Sequence, residues 1–141
     1  MRTAATLCLL LISFLAQASD EITLFDGRGR AVAYIADDLT IYLWSGKPVA
    51  YLDGDGSDGL HVYGFNGKHI GWFTRGIIRD HSGGAACAVK EIISPTEVEP
   101  IKSIKEIEPI KSIKEIAPIR PIFSNSWSEV PCRFALQYGG S

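Results

Sequence analysis

The sequence has little of the features that identify several large classes of protein. Its 141 residues include one methionine and three histidines, and 14 basic against 16 acidic residues leave a formal net charge of −2. Nucleic-acid-binding domains carry a clustered basic face, which this charge balance does not provide. The spacing of His61, His69 and His81 is not that of a metal site. We therefore expect no nucleic acid partner, no bound metal and no cofactor.

The sequence also lacks a hydrophobic run long enough to cross a membrane. The apolar run at residues 7–15 is shorter than the roughly 20 residues of a spanning helix. It follows Met1 and Arg2 and precedes small residues at 16–18, an order typical of a cleavable secretory signal. We interpret residues 1–18 as a signal peptide and predict a secreted or periplasmic protein with no span after cleavage. An uncleaved N-terminal anchor is the alternative.

Cysteine is scarce, and the three cysteines carry different expectations. Cys8 would leave with the signal peptide, so Cys87 and Cys132 would remain. Two cysteines in an oxidising compartment can form a disulfide. Cys87 also falls in a column of the internal repeat that holds aliphatic residues elsewhere, where a free thiol would pack as a small hydrophobe. Both interpretations remain open at this stage.

Residues 19–92 repeat one strand–turn–strand pattern four times. The turns lie at residues 25–27, 44–46, 65–67 and 81–83. Short β-branched and aromatic runs joined by a polar residue and glycine predict β-hairpins, and the frequent glycines exclude long helices. Because a lone hairpin cannot bury its apolar face, the four hairpins must pack together, giving about eight short strands.

Two sets of repeat positions predict the core. Small residues recur at Ala33, Ala50, Gly71 and Ala88, where backbones would approach closely near a common axis. Their neighbours Val32, Val49, Ile70 and Cys87 would point to the opposite face, because a strand has a period of two. We also expect core positions at Ile22, Ile41, Val62 and Ile78.

The motifs of these hairpins resemble a known family. Residues 41–52, 62–73 and 76–83, together with residues 118–128, are similar to the bacterial four-fold beta-flower family. The resemblance implies an all-β fold of four hairpins around a pseudo-fourfold axis. It implies no activity, because the family is uncharacterised.

Residues 93–122 form a different segment, which we call the arm. The nine residues Glu-Pro-Ile-Lys-Ser-Ile-Lys-Glu-Ile at 99–107 recur without change at 108–116. An apolar residue stands at every third position from Val98 to Ile122, a period that matches polyproline II and leaves lysine and glutamate on the other two edges. We expect the arm to wrap the small core or to dock on a second copy as a homo-oligomer contact. A semi-rigid spacer is the alternative.

The C-terminal tail, residues 123–141, predicts a short helical turn. Ser126 and Glu129 have the spacing of a capping box, and Pro131 would limit the helix that follows to a turn or two.

The fourth unit departs from the others at Arg79, Asp80 and His81, which makes these residues candidates for ligand binding. An aspartate can orient a histidine for proton transfer, but neighbouring residues of a strand point to opposite faces. A solvated edge is the alternative. The glycine- and aspartate-rich residues 53–59 have the spacing of part of a calcium loop, and an ordinary connector explains them equally well.

Aromatic residues recur at Tyr34, Tyr51 and Trp72 and could form a ligand-binding face for sugars or quaternary cations. They could equally be core or arm-binding residues. We predict a non-enzymatic exported binding or structural module with no catalytic residues. The first alternative is a cell-envelope carbohydrate-binding module using the aromatic positions, and the second is an enzyme using Asp80 and His81.

Overall fold

The computed structural model describes residues 20–56 and 59–138, and the predicted signal peptide lies outside them. Eight antiparallel strands form a closed barrel, and each strand pairs with the next along the chain. The strands are β1 Ile22–Phe25, β2 Ala31–Ile35, β3 Thr40–Leu43, β4 Pro48–Gly56, β5 Gly59–Gly64, β6 His69–Thr74, β7 Ile77–Arg79 and β8 Ala85–Ala88, and one helix follows, α1 Cys132–Gln137. The predicted all-β architecture of four hairpins is confirmed.

Each hairpin carries one β-bulge at the same place. The paired residues just before the bulge are Leu24 and Ala33, Ile41 and Ala50, Val62 and Gly71, and Ile78 and Cys87. One residue of the second strand is then left out of the pairing, and these residues are Val32, Val49, Ile70 and Ala86. A bulge lets two consecutive residues face the same side, so Val49 and Ala50 both lie in the core.

The bulges correct the predicted register at two points. The first core column contains Leu24, because Leu24 is fully buried whereas Ile22 is 45% exposed. The small-residue column ends in Cys87, which takes the position of Ala33, Ala50 and Gly71, and not in Ala88. The expectation that the aliphatic column and the small-residue column lie on opposite faces was wrong for the same reason, because Val49 and Ile70 share the core cluster with Ala50.

Helix α1 lies against the barrel and is covalently attached to it. Its buried residues, Cys132, Ala135 and Leu136, join the main core cluster. Cys132 forms a disulfide with Cys87. The helix begins after Pro131, which is its N-cap. The sequence placed the helical turn before this proline, at the Ser126 capping box, and that placement was wrong.

No helix in the described part of the chain is both long and apolar enough to span a membrane.

Candidate functional site: the aromatic belt and the arm

The arm, with which we now count Phe123 and Ser124 because they continue its path, crosses the four hairpin turns in order and advances nine residues for each hairpin. A backbone N–H of the arm segment donates to a glycine carbonyl in every turn at 2.8–3.1 Å, and the pairs are Glu97 with Gly29, Glu106 with Gly46, Glu115 with Gly67, and Ser124 with Gly83. The nine-residue sequence repeat therefore matches the step between neighbouring hairpins. The arm is held by the domain and is not a free spacer.

The turn glycines are required by this contact as well as by the turn. Gly46 has a φ of 91°, a conformation that other residues adopt with strain. A Cβ atom on Gly46 would also lie 2.0 Å from the carbonyl oxygen of Ile104 in the arm. A side chain at this position would therefore push the arm away from the turn.

The three edges of the arm have different roles. The edge that contains Lys102, Lys105, Lys111 and Lys114 faces the domain, where Lys102 and Lys105 form ion pairs with Glu21 at 2.8 and 2.6 Å. Burial raises the pKa of Glu21, but the hydrogen bonds from Lys102 and Lys105 together outweigh this effect. The pKa of Glu21 is therefore below its usual value. Glutamates on the same edge accept hydrogen bonds from Thr23 and Thr40. The domain thus binds the arm through its charged side chains and its backbone.

The arm lysines lie over aromatic rings on the outside of the barrel. Between the first and second hairpins, Tyr34, Tyr42 and Trp44 form one aromatic group. The Nζ atom of Lys102 lies 4.5 Å from the centroid of Tyr34, and that of Lys105 lies 5.3 Å from the centroid of Tyr42. Both are within the range of a cation–π interaction. The predicted ligand-binding residue Tyr34 therefore already holds a cation of its own chain.

A second group of the same design lies one hairpin further along. Tyr51, Tyr63 and Phe65 pack together, and the Nζ atom of Lys111 lies 4.3 Å from the centroid of Tyr51. Lys114 lies 5.6 Å from the ring of Tyr63. Each lysine is nine residues after its counterpart in the first group, as the arm repeat requires. We call these two groups, with the third described next, the aromatic belt.

In the third group, the cation and the aromatic ring come from opposite partners to those in the first two groups. Arg79 occupies the position of Tyr42 and Tyr63, and the arm supplies Phe123 nine residues after Lys114. The guanidinium carbon of Arg79 lies 4.8 Å from the centroid of Phe123. The cation now belongs to the domain and the ring to the arm, so the interaction is kept while its partners are exchanged.

Arg79 is also anchored by the backbone of the turn and arm. Its Nη1 atom donates to the carbonyls of Gly83 and Ser124 at 3.0 and 2.5 Å. Burial lowers the pKa of Arg79 from its ordinary value. Trp72 lies 6.0 Å from Phe123 in the same group. Arg79 and Trp72, two of the predicted ligand-binding residues, are therefore brought together, but as contacts to the arm.

Three histidines form a hydrogen-bonded row beside this third group. His61 Nδ1 lies 3.0 Å from His69 Nε2, and His69 Nδ1 lies 3.0 Å from His81 Nε2. His69 is fully buried, and its backbone N–H donates to the Glu115 carboxylate at 2.7 Å. Burial, with smaller effects of His81 and His61, lowers the pKa of His69 to about 4. At neutral pH the central ring is therefore uncharged, donating one hydrogen bond and accepting the other.

The histidine row does not have the arrangement of a metal centre. Each nitrogen of His69 faces a different neighbour, so the three rings do not converge on one point. Among the residues that the structure describes, no three histidine, cysteine, aspartate or glutamate side chains are placed to hold a metal ion.

Asp80 is separate from the histidines. Its carboxylate accepts hydrogen bonds from the hydroxyls of Ser82 and Ser128, whereas His81 faces His69. Burial raises the pKa of Asp80, but the hydrogen bonds from Ser128 and Ser82 together outweigh this effect. The pKa of Asp80 is therefore below its usual value. Asp80 therefore fastens the tail to the fourth turn, and it does not pair with His81 as a proton-transfer dyad would require.

The aspartate- and glycine-rich stretch at residues 53–59 extends two strands. β4 continues to Gly56 and β5 begins at Gly59, so most of the predicted connector is strand, while residues 57–58 lie outside the described part. Asp53 forms an ion pair with Lys114 of the arm at 2.5 Å. The carboxylate considered for calcium is thus another contact between the domain and the arm.

Sequence reasoning missed the histidine row, because it looked only for the spacing of metal ligands. His61 and His69 meet across two paired strands, and neither residue fits the repeat. In the corrected register His61 replaces Thr23 and Thr40, and the arm lacks the matching glutamate because position 117 is Ala117. The histidine row could have been found from one signal in the sequence. The domain departs from its repeat at His61, and the arm departs from its own repeat at the matching position, Ala117.

The remaining edge of the arm faces solvent. Its nine side chains, which we call the isoleucine edge, are 91–97% exposed, and they are Val98, Ile101, Ile104, Ile107, Ile110, Ile113, Ile116, Ile119 and Ile122. We expected the arm to wrap the core or to meet a neighbouring molecule. The arm does lie along the domain, but its lysines, glutamates and backbone make the contacts, and the isoleucine edge does not.

Comparison with known proteins gives a family but no characterised relative. No curated protein and no solved structure gives a match. The sequence model of the 4-fold beta flower protein matches residues 22–136, a region that includes all eight strands, the arm and most of α1. This agrees with the four bulged hairpins of the barrel. The chain therefore belongs to the 4-fold beta flower protein family.

Proposed function

We propose that this protein is a non-enzymatic, exported structural module whose binding surface is the isoleucine edge. One observation carries the proposal: the chain fills the aromatic belt with its own cations and presents nine apolar side chains to solvent. Exposed apolar areas larger than about 300–600 Å² are uncommon on monomeric proteins and usually mark a contact with another molecule. The barrel acts as the frame that holds this edge in place.

The arrangement of polar residues supports a role other than catalysis. Asp80 is occupied by two serines of its own chain, and the histidine row meets no serine or cysteine hydroxyl or thiol in the contacts described above. Nucleophilic catalysis needs a base within hydrogen-bonding distance of a nucleophile. Of the two residues considered for an enzyme, Asp80 is thus engaged in holding the tail, and His81 is engaged with His69 of the barrel.

Export is supported by the signal-like residues 1–18 and by the chemistry of the cysteines. Disulfides persist in oxidising compartments and are rare in the cytosol. The bond between Cys87 and Cys132 joins α1 to the barrel core, which fits a protein that works outside the cytosol.

The carbohydrate-binding alternative uses the same rings that the arm covers. A sugar at Tyr51 would have to displace Lys111. We therefore expect the processed chain to show no retention on peptidoglycan and no signal on a glycan array. Retention that disappears in Tyr51→Ala, with the fold intact, would replace the proposal with a carbohydrate-binding function.

The isoleucine edge is tested directly with an apolar fluorescent probe. We expect bis-ANS to bind the dilute protein and expect the double variant Ile107→Ser and Ile113→Ser to reduce its fluorescence at least twofold. The matched control is Glu106→Ser on a neighbouring edge, which should leave the fluorescence unchanged. Because these isoleucines are almost fully exposed, the melting temperature should stay constant in all variants. Equal fluorescence in the isoleucine and control variants would overturn the proposal.

A further inference from the structure

We infer that a groove at the end of the barrel that carries the hairpin turns binds a small anion with a flat apolar ring system. The groove has a volume of about 670 Å³ and lies between the first two turns, the tail and the start of α1. Binding sites for small molecules have volumes of roughly 300–1,000 Å³. The isoleucine edge does not line this groove, so the inference does not rest on the proposed function.

The floor of the groove is apolar and reaches the barrel core. Val32, Leu43 and Ala86 contribute to it from three strands. Val32 is the residue left out at the bulge of the first hairpin. Its counterparts Val49, Ile70 and Ala86 are at most 4% exposed, whereas Val32 is half-buried. The core is therefore open to solvent at Val32, and an occupant with an apolar body would cover it.

Three aromatic side chains form the walls of the groove, and they are Trp44, Trp127 and Phe134. The indole N–H of Trp44 donates to the carbonyl of Pro100 at 3.1 Å. The ring of Trp127 packs so closely on Gly27 that a Cβ atom there would lie 3.2 Å from it. Trp127 and Phe134 nevertheless remain 42% and 65% exposed. The walls are thus held in place and still offer aromatic surface on which a flat ring can pack.

The charged residues of the groove make it positive. Arg28, Arg30 and Arg133 line it with one carboxylate, Asp26, which leaves a local charge of +2 in a chain of net charge −2. Three of the six arginines in residues 20–141 lie here, and none of the lysines does. The planar fork of an arginine matches the geometry of a carboxylate or phosphate. The groove is therefore complementary to an anionic group.

Two of these arginines are free to contact an anion. The Asp26 carboxylate accepts hydrogen bonds from the backbone N–H groups of Arg28 and Arg30 at 2.9 and 3.0 Å, and from the Arg30 side chain at 3.3 Å. Asp26 thus fixes the first turn and is itself occupied. Within the described part of the chain, the side chains of Arg28 and Arg133 form no ion pair. One guanidinium therefore comes from the turn and the other from α1.

The occupant must combine an apolar body with a charged group. An inorganic anion would leave the apolar floor exposed, and a neutral ring would leave both free arginines without a partner. A carboxylate or phosphate on an aromatic ring system satisfies both parts of the groove. Because the walls are preformed, binding such a molecule loses little conformational entropy.

The first test is isothermal titration calorimetry of the processed chain. We expect 2-naphthoate to bind with a stoichiometry of about one. The neutral 2-naphthamide should bind at least about fivefold more weakly, because it lacks the charge that the arginines meet. Titration with 2-naphthyl phosphate assigns the preferred anionic group, and inorganic phosphate should give no binding. Equal affinities for 2-naphthoate and 2-naphthamide, or binding of neither naphthyl anion at millimolar concentration, would overturn the inference.

The second test removes the free arginines one at a time. Arg28→Gln and Arg133→Gln should each weaken 2-naphthoate binding at least about fivefold and leave 2-naphthamide binding within about twofold. The matched control is Arg75→Gln, which makes the same change of net charge at an exposed arginine between β6 and β7. It should leave both affinities within about twofold. Equal weakening in all three variants would show a general charge effect and overturn the inference.

The third test changes the aromatic wall without disturbing the fold. Phe134→Ala should weaken 2-naphthoate and 2-naphthamide alike, by at least about threefold, because both lose a ring contact. Tyr138→Ala is the matched control, since Tyr138 is a similarly exposed ring directly after α1 that does not line the groove. Both variants should keep the wild-type melting temperature, because these side chains are largely exposed. Equal affinities in the two variants would place the ligand elsewhere and overturn the inference.

Discussion

Lowering the pH should destabilise the fold through His69. This side chain is fully buried and its pKa falls from 6.5 to about 4, mainly through burial and secondly through His81 and His61. Glu115 acts in the opposite direction. Because the folded pKa lies below the unfolded value, the unfolded chain binds more protons between these two pH values. The stability is therefore complete above about pH 6.5 and falls as the pH drops toward 4.

The size of this effect follows from the shift in pKa. A change of one unit is worth about 1.36 kcal/mol, so the shift of His69 to about 4 corresponds to a loss of about 3 kcal/mol across the window. Small domains have stabilities of about 5–15 kcal/mol. The loss would therefore be a large part of the total.

The assay is urea unfolding under oxidising conditions at several pH values from 7 to 4. We expect His69→Gln to be less stable than the wild type at pH 7, and the difference between them should shrink as the pH falls. The control is Val62→Ala, which removes buried apolar volume on the neighbouring strand without changing a titrating group. Its unfolding free energy should stay below the wild type by a constant amount. Parallel curves for His69→Gln and the wild type would refute the reasoning.

Three other changes test the contacts that fasten the arm and helix. Gly67→Ala should lower the unfolding free energy by about 2 kcal/mol or more, because φ is 87° and the new Cβ would lie 2.2 Å from the Ile113 carbonyl oxygen; unchanged urea unfolding would contradict the docked arm. Cys132→Ser removes a disulfide between residues 45 apart in sequence, and the chain-entropy estimate predicts that the unfolding free energy falls by about 4 kcal/mol. Calorimetry measures this loss, and an unaltered melting temperature would show that α1 packs independently of the bond. Lys111→Ala should cost about 0.5–1 kcal/mol and increase hydrogen exchange in the arm, and the same substitution in a Tyr51→Ala background should have no further effect.

The sequence predicted the hairpins well, because each hairpin is specified locally. Glycine turns flanked by short β-branched and aromatic runs require little information from the rest of the chain. The register was less certain, since one extra residue in each hairpin changes which side chains face inward. This is why Ile22 was assigned to the core in place of Leu24, and why Cys87 was placed one column away from its position.

The candidate site could be predicted only in part. Tyr34, Tyr51 and Trp72 were correctly recognised as equivalent positions, but their partners Lys102, Lys111 and Phe123 come from a distant part of the chain. No local pattern shows that Lys111 will meet Tyr51. The histidine row depends in the same way on pairing across strands.

By itself, the sequence determined four hairpins, a nine-residue arm repeat and a three-residue apolar period within that repeat. These are local features, set by glycine turns, β-branched residues and proline. Only the tertiary structure decided that the arm advances one repeat per hairpin and that its isoleucines face outward. The physical reason is that the barrel presents aromatic rings, carboxylates and turn carbonyls, which bind cations and N–H groups. The polar edges of the arm therefore face the barrel, and the isoleucine edge is exposed to solvent.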